Sequence, residues 1–203
     1  MNKIIKEIID GLKAIGKGVV IVLLIGIVIG VGYNFWNAKT AISRTPSNPN
    51  IIIPQDVDFQ SILPNDFGGN DYNEKFFIGS DNINNWLSLC YARAANDLKV
   101  DDIVRGLKKI YVREYRKFDG TNLAPYFCVQ EYETEKATKE AASSLIIAGI
   151  GIKKIDGAEV IGRDDVFGTI SYALVTGKYL ITVSQYYYPM DKMIKEIVKL
   201  YGK

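Results

Sequence analysis

The longest apolar stretch of the chain runs from Val19 to Trp36 and contains no charged residue. Asn34 is its one strongly polar side chain. An α-helix of this length measures roughly 27 Å, which is close to the hydrocarbon thickness of a bilayer. The pattern therefore predicts a single transmembrane helix, which we place at residues 18–37.

A short basic segment, residues 1–17, precedes the predicted span. Its isoleucines and leucines recur at helical spacing, which predicts an amphipathic helix in the headgroup region or a continuation of the span. Alternatively, the segment is only a charged flank that orients insertion. Four lysines lie before the span, whereas Lys39 and Arg44 follow it. The positive-inside rule then predicts a cytoplasmic N-terminus and a C-terminal domain outside the cell membrane.

Two alternatives involve removal of N-terminal residues. A cleaved secretory signal needs small residues at −3 and −1, and the stretch from Ala38 to Ala41 does not have that spacing. Lys17-Gly18, immediately before the apolar run, resembles the cut site of archaeal pilin-like proteins, which implies a processed structural subunit. Against this, Pro46 and Pro49 would break the long helix that pilins continue beyond the membrane. We therefore favour an uncleaved signal-anchor.

Gly26 and Gly30 form a GxxxG pair within the span. Such a pair lets two membrane helices approach closely, which makes these glycines a candidate helix-dimer contact. The alternative is that they have no special role, because glycine is common in membrane helices. The partners expected from the sequence are thus the membrane itself and either a second copy or another membrane or envelope protein.

After the span, residues 38–74 are rich in proline and asparagine, which predicts a linker whose first part is a tether. Residues 75–203 predict one extracytoplasmic domain, in which apolar residues at helical spacing mark 82–96, 100–110, 134–148 and 189–201. In the second of these helices, Asp101 and Asp102 occupy the first turn and Lys108 and Lys109 the last, as the helix dipole favours. Thr134 is the predicted N-cap of the third.

Strand-like patterns lie between these helices, at 111–118, 126–133, 159–161, 166–175 and 179–188. Most of them are paired by turn signals, and the last two form the clearest hairpin, with its turn at Thr176-Gly177-Lys178. The order of elements is αα-ββ-α-βββ-α. This order predicts an α+β fold in which a small antiparallel sheet is covered by helices on one face.

The alternation in the last hairpin predicts its two faces. One face, which includes Tyr172, Leu174, Ile181 and Val183, suits a core under helices. The other is small and hydroxylated in its middle, which predicts a water-facing surface. Phe167, Tyr186 and Tyr188 lie together at one end of that surface and are a candidate partner face. Alternatively, the segment from Ile51 to Leu63 folds back and covers these rings.

The amino-acid composition limits which functions the protein can have. The 25 basic and 23 acidic residues leave a net charge of +2, without the clustered basic face that nucleic acid requires. The chain has no histidine, so it lacks the commonest general base and zinc ligand, and we predict no catalytic residue, no metal and no cofactor. Arg113, Arg116 and Lys117 are interpreted as a solvated strand face.

Cys90 and Cys128 are the only two cysteines. Outside the cytoplasm they are a candidate disulfide, and the alternative is two buried free thiols. Together these features predict a membrane-anchored extracytoplasmic binding or assembly module and not an enzyme. The alternatives are a pilin-like subunit with a processed N-terminus, and a cell-surface enzyme that works without histidine through carboxylates and tyrosines.

Overall fold

The computed structural model describes residues 2–54, 72–78, 83–91, 98–115, 126–164, 169–186 and 190–202. The chain forms two compact units. The first unit, Met1–Thr40, is helical from Asn2 onwards, and the second, Ala41–Lys203, contains the sheet.

The N-terminal helix α1 spans Asn2–Arg44 without interruption. Its part from Val19 onwards is long and apolar enough to cross a membrane. The helix continues beyond the predicted bound at residue 37 and ends just before Pro46. Proline disfavours the helical conformation of the residue before it, which accounts for an end at this position.

All seven described strands belong to one sheet, in the order β1-β2-β3-β7-β6-β5-β4, and every neighbouring pair is antiparallel. The sheet is thus two meanders, β1 to β3 and β4 to β7, joined where β3 pairs with β7. The strands are β1 (Tyr72–Ile78), β2 (Leu107–Tyr115), β3 (Tyr126–Tyr132), β4 (Gly151–Ile155), β5 (Ala158–Asp164), β6 (Thr169–Thr176) and β7 (Tyr179–Tyr186).

Helices cover both faces of this sheet. One face packs against α2 (Ile83–Tyr91), α3 (Val100–Val104) and α4 (Glu135–Ile147). The opposite face packs against the last helix, α5 (Met190–Tyr201), through Ile194 and Ile197. The predicted α+β fold with an antiparallel sheet under helices is confirmed, but the helices are not restricted to one face.

Two strands were not predicted, β1, which crosses the predicted boundary between linker and domain, and β4, which follows α4. The predicted helix at 100–110 was wrong in extent, because α3 ends at Val104 and β2 begins at Leu107. Gly106 lies between them with φ of 72°, a left-handed conformation that stops the helix. Lys108 and Lys109 therefore lie on a strand and not in a last helical turn.

The predicted core face of the β6–β7 hairpin is buried under α5, as expected, with Leu174, Ile181 and Val183 fully inaccessible to solvent. The other face was predicted to meet water, and this was wrong. Leu180 and Thr182 on that face are buried on the side of the sheet that carries α2 and α4. Ser184 donates a hydrogen bond to the carbonyl oxygen of Leu89 in α2, which shows how a hydroxylated strand face is accommodated beneath a helix.

Arg113 was predicted on a solvated face and is instead 1% exposed. Its guanidinium carbon lies 5.8 Å from the ring centroid of Tyr111, and its Nη2 atom lies 3.5 Å from the hydroxyl of that residue. Aromatic packing of this kind accommodates a buried guanidinium, which strand alternation alone does not reveal. Arg116 and Lys117 lie outside the described residues.

Candidate functional site: the strap and its groove

The predicted partner face cannot be built from the described residues. Phe167 and Tyr188 lie outside them, and of Tyr186 only the backbone is described. Tyr186 is the last residue of β7 and its Cα is paired with that of Thr169.

The predicted helix-dimer contact lies on α1. A Cβ added at Gly26 or Gly30 would meet no atom within 4 Å, so both positions leave room beside the helix. Asn34 is one further turn along the same helix, and its Nδ2 donates to the carbonyl oxygen of Gly30 at 2.8 Å. This bond satisfies part of a polar side chain within an otherwise apolar stretch of the helix.

Cys90 and Cys128 form a disulfide, with their Cα atoms 5.6 Å apart. Both residues are fully buried, and the bond joins α2 to the central strand β3. It closes a loop with a sequence separation of 38 residues. The bridge therefore fixes the helix layer onto the middle of the sheet.

A buried hydrogen-bond network lies close to this bridge. The hydroxyl of Tyr91 donates to Gln130 Oε1 at 2.6 Å, and the hydroxyl of Tyr132 lies 2.9 Å from the carbonyl oxygen of Ile103. Burial raises the pKa of Tyr91 above its usual value, and burial together with the neighbouring Tyr91 raises the pKa of Tyr132 further. Both phenols are thus held neutral, which suits hydrogen-bond donors within the core.

The most distinctive feature of the domain is the segment 45–53, which follows α1 and which we call the strap. The backbone N–H of Asn48 donates to the carbonyl oxygen of Val175 at 3.2 Å. The side-chain Nδ2 of Asn48 donates to the carbonyl oxygens of Val175 and Glu159, both at 2.9 Å, and its Oδ1 accepts from the N–H of Glu159 at 2.9 Å. One residue thus bonds to β5 and β6 together.

Further contacts hold the strap beyond Asn48. The hydroxyl of Thr176 donates to the carbonyl oxygen of Ile51. The N–H of Ile52 donates to the carbonyl oxygen of Tyr201 at 3.0 Å, and Ile51 forms a β-bridge with Gly202. Ile51 and Ile53 are 5% and 7% exposed and belong to the core under α5. The strap is therefore part of the folded domain.

Two grooves flank the strap. One, which we call the strap groove, has a volume of about 440 Å³ and is lined by strap residues, by Thr176–Tyr179 and by Glu131 and Glu135. The other, of about 310 Å³, is lined by the strap, by the β4–β5 turn and by the end of α5. Volumes of this order match those of small-ligand and peptide sites.

The strap groove has an apolar part and a charged part. Ile52 is 48% exposed and supplies apolar surface, while Ile51 and Ile53 on either side of it are buried. Glu131 is 3.7 Å from Lys108 Nζ, and Glu135 is 2.8 Å from Lys139 Nζ. The turn that completes the lining is fixed in place, because the carbonyl oxygen of Lys178 accepts from the N–H of Tyr132 at 2.8 Å.

Comparison with protein families, with curated proteins and with solved structures finds no match to this chain. The candidate site is therefore described from the geometry of this structure alone. The sequence predicts a tether for the first part of the linker and leaves open that the chain from Ile51 onwards folds back on the domain. The packing of Ile51 and Ile53 agrees with that fold-back, whereas the hydrogen bonds of Asn48 and the groove were not predicted. The run of three isoleucines, Ile51 to Ile53, was the signal available in the sequence, because it is more apolar than a solvated tether requires.

Proposed function

We propose that the protein is a membrane-anchored extracytoplasmic module that binds a partner protein, and that the strap groove is its binding site. The groove carries this proposal, because it combines exposed apolar surface, two carboxylates and a fixed turn. Protein surfaces that bind partners commonly have an apolar centre beside charged groups.

Three features support the proposed location. The helix from Val19 onwards is apolar enough to span a bilayer, and lysines are concentrated before it. The disulfide between Cys90 and Cys128 favours an oxidising compartment, since such bonds persist outside the cytoplasm. A cytoplasmic N-terminus with a folded domain outside the membrane agrees with the apolar helix, with the lysines before it and with the disulfide.

The proposal is tested by photo-crosslinking in the native membrane. A photoreactive amino acid at position 52 is expected to give a discrete adduct with one partner. The matched control is position 147, because Ile147 is exposed to a similar extent, 44%, and does not line the strap groove. Absence of an adduct at position 52, or the same adducts at both positions, would contradict the proposed site.

A further inference from the structure

We infer that the strap groove takes a basic extended segment of the partner, with an arginine or lysine side chain placed between Glu131 and Glu135. The inference rests on the proposed function and adds the chemical class of the ligand. It starts from the lining, in which the acidic residues Glu131 and Glu135 and the basic residue Lys178 stand beside the exposed Ile52.

The apolar part of the groove suits the stem of a basic side chain. Lysine and arginine carry three or four methylene groups below the charge, and these groups pack on apolar surface while the charged end reaches polar partners. Ile52 offers such surface, and Glu131 and Glu135 line the same groove.

The ion pairs already present show that both carboxylates accept a cation. Lys108 and Lys139 provide it within the chain, at 3.7 Å from Glu131 and 2.8 Å from Glu135. The side chains of Lys108 and Lys139 are 50% and 30% exposed, so each can return to water when its carboxylate changes partner. A guanidinium is less strongly hydrated than an ammonium and bonds a carboxylate with two parallel hydrogen bonds, so arginine gains most from this exchange.

The test uses the full chain in an uncharged detergent and a fluorescent acetyl-(Arg-Leu)₃-amide peptide as the probe. Anisotropy is expected to show saturable binding that weakens as salt is added. The Glu131→Gln/Glu135→Gln variant should bind at least tenfold more weakly. Glu140→Gln is the matched control, because Glu140 pairs with Lys136 on the same helix as Glu135 and does not line the groove. Its affinity should stay within twofold of the wild type.

Acetyl-(Glu-Leu)₃-amide separates charge recognition from simple hydrophobic binding. Equal affinity for the two peptides, or an unchanged affinity of the double glutamine variant, would overturn the inference. If the double variant does not fold, Glu135→Gln alone serves, since the side chain of Glu135 is 53% exposed. If the arginine peptide, added before irradiation, does not suppress formation of the position-52 adduct, the inference of a basic ligand is overturned and the proposed function stands. Absence of that adduct would instead contradict the proposed function.

Discussion

Asn48 and Glu159 are joined by two hydrogen bonds of 2.9 Å, one in each direction, between a side-chain amide and a backbone peptide group. The paired residues of β5 and β6 begin at Val160 and Leu174. Asn48 bonds to the next residue on each strand, Glu159 and Val175. Its carboxamide therefore continues the hydrogen bonding of the sheet at the point where these two strands stop pairing.

Replacing Asn48 by Asp should destabilise the domain by about 2–4 kcal/mol, because two donated bonds are lost and a carboxylate then faces two carbonyl oxygens. Denaturant unfolding of the full chain in detergent, followed by near-ultraviolet circular dichroism, measures the effect. Asn50→Asp is the control, since Asn50 is exposed on the same segment. Equal losses in the two variants would show that the bonds of Asn48 contribute little.

Removal of the disulfide should also lower stability. For a loop closed across 38 residues, replacing Cys90 and Cys128 by Ala should cost about 3–4 kcal/mol. Because both residues are fully buried, native protein should resist thiol alkylation, and alkylation should require reductant together with denaturant. Modification of the untreated native protein by a thiol reagent would mean that the bond is absent.

The buried tyrosines predict a loss of stability at alkaline pH. Tyr91 and Tyr132 have raised pKa values in the folded state, so the folded protein retains protons that an unfolded chain releases near pH 10. The contribution of these two phenols to the free energy of unfolding is complete below pH 10 and is lost as the pH rises above that value. Absorbance at 295 nm should show a group of tyrosines that ionises only together with unfolding. The Tyr91→Phe variant should have fewer tyrosines in that group.

The candidate helix-dimer contact predicts that Gly26→Ile and Gly30→Ile each weaken self-association of the span. A side chain at either position would fill space that is open beside the helix, which would keep a second helix at a distance. Gly32→Ile is the control, because position 32 is equally open but falls off the GxxxG face. A bilayer reporter assay compares the self-association of the wild type and the three variants. Identical signals from all four would mean that the glycines form no helix-dimer contact and that the span acts only as an anchor.

The proposed topology predicts that protease added outside intact cells reaches the chain after Trp36 and leaves residues 1–17 protected. The lysine asymmetry around the span is the reason for this expectation. Antibodies against tags at the two termini report which end is cleaved. Protection of the C-terminal tag until lysis would place the domain in the cytoplasm instead.

Much of the architecture was predictable because it rests on local signals. The N-cap of α4 is an example, since Thr134 Oγ1 accepts from the N–H of Ala137 at 3.1 Å as its residue type suggested. The core face of the β6–β7 hairpin follows from simple alternation. The Asp156-Gly157 turn carried an equally local signal that our reading missed. Its φ values of 50° and 86° match a tight hairpin between β4 and β5.

The remaining features depend on partners distant in sequence. Nothing near Asn48 indicates that its amide will bond to Glu159 and Val175, more than a hundred residues further along the chain. In the same way, the hydroxylated face of β7 is compatible with either water or a covering helix, and only the position of α2 decides between them. The candidate site is built from such contacts, which explains why the fold was easier to predict than the groove.

The junction of the two meanders has a consequence for how the chain is made. Strand β3 pairs with β2, which is synthesised before it, and with β7, which begins only at Tyr179. On the proposed topology, the growing chain thus presents β3 with one open edge during export, and such an edge invites pairing between chains. Both cysteines emerge well before β7. If the domain is exported as proposed, oxidation of Cys90 and Cys128 should precede completion of the sheet, and the bond would then hold α2 on the half-built sheet while its last strand is still inside the cell.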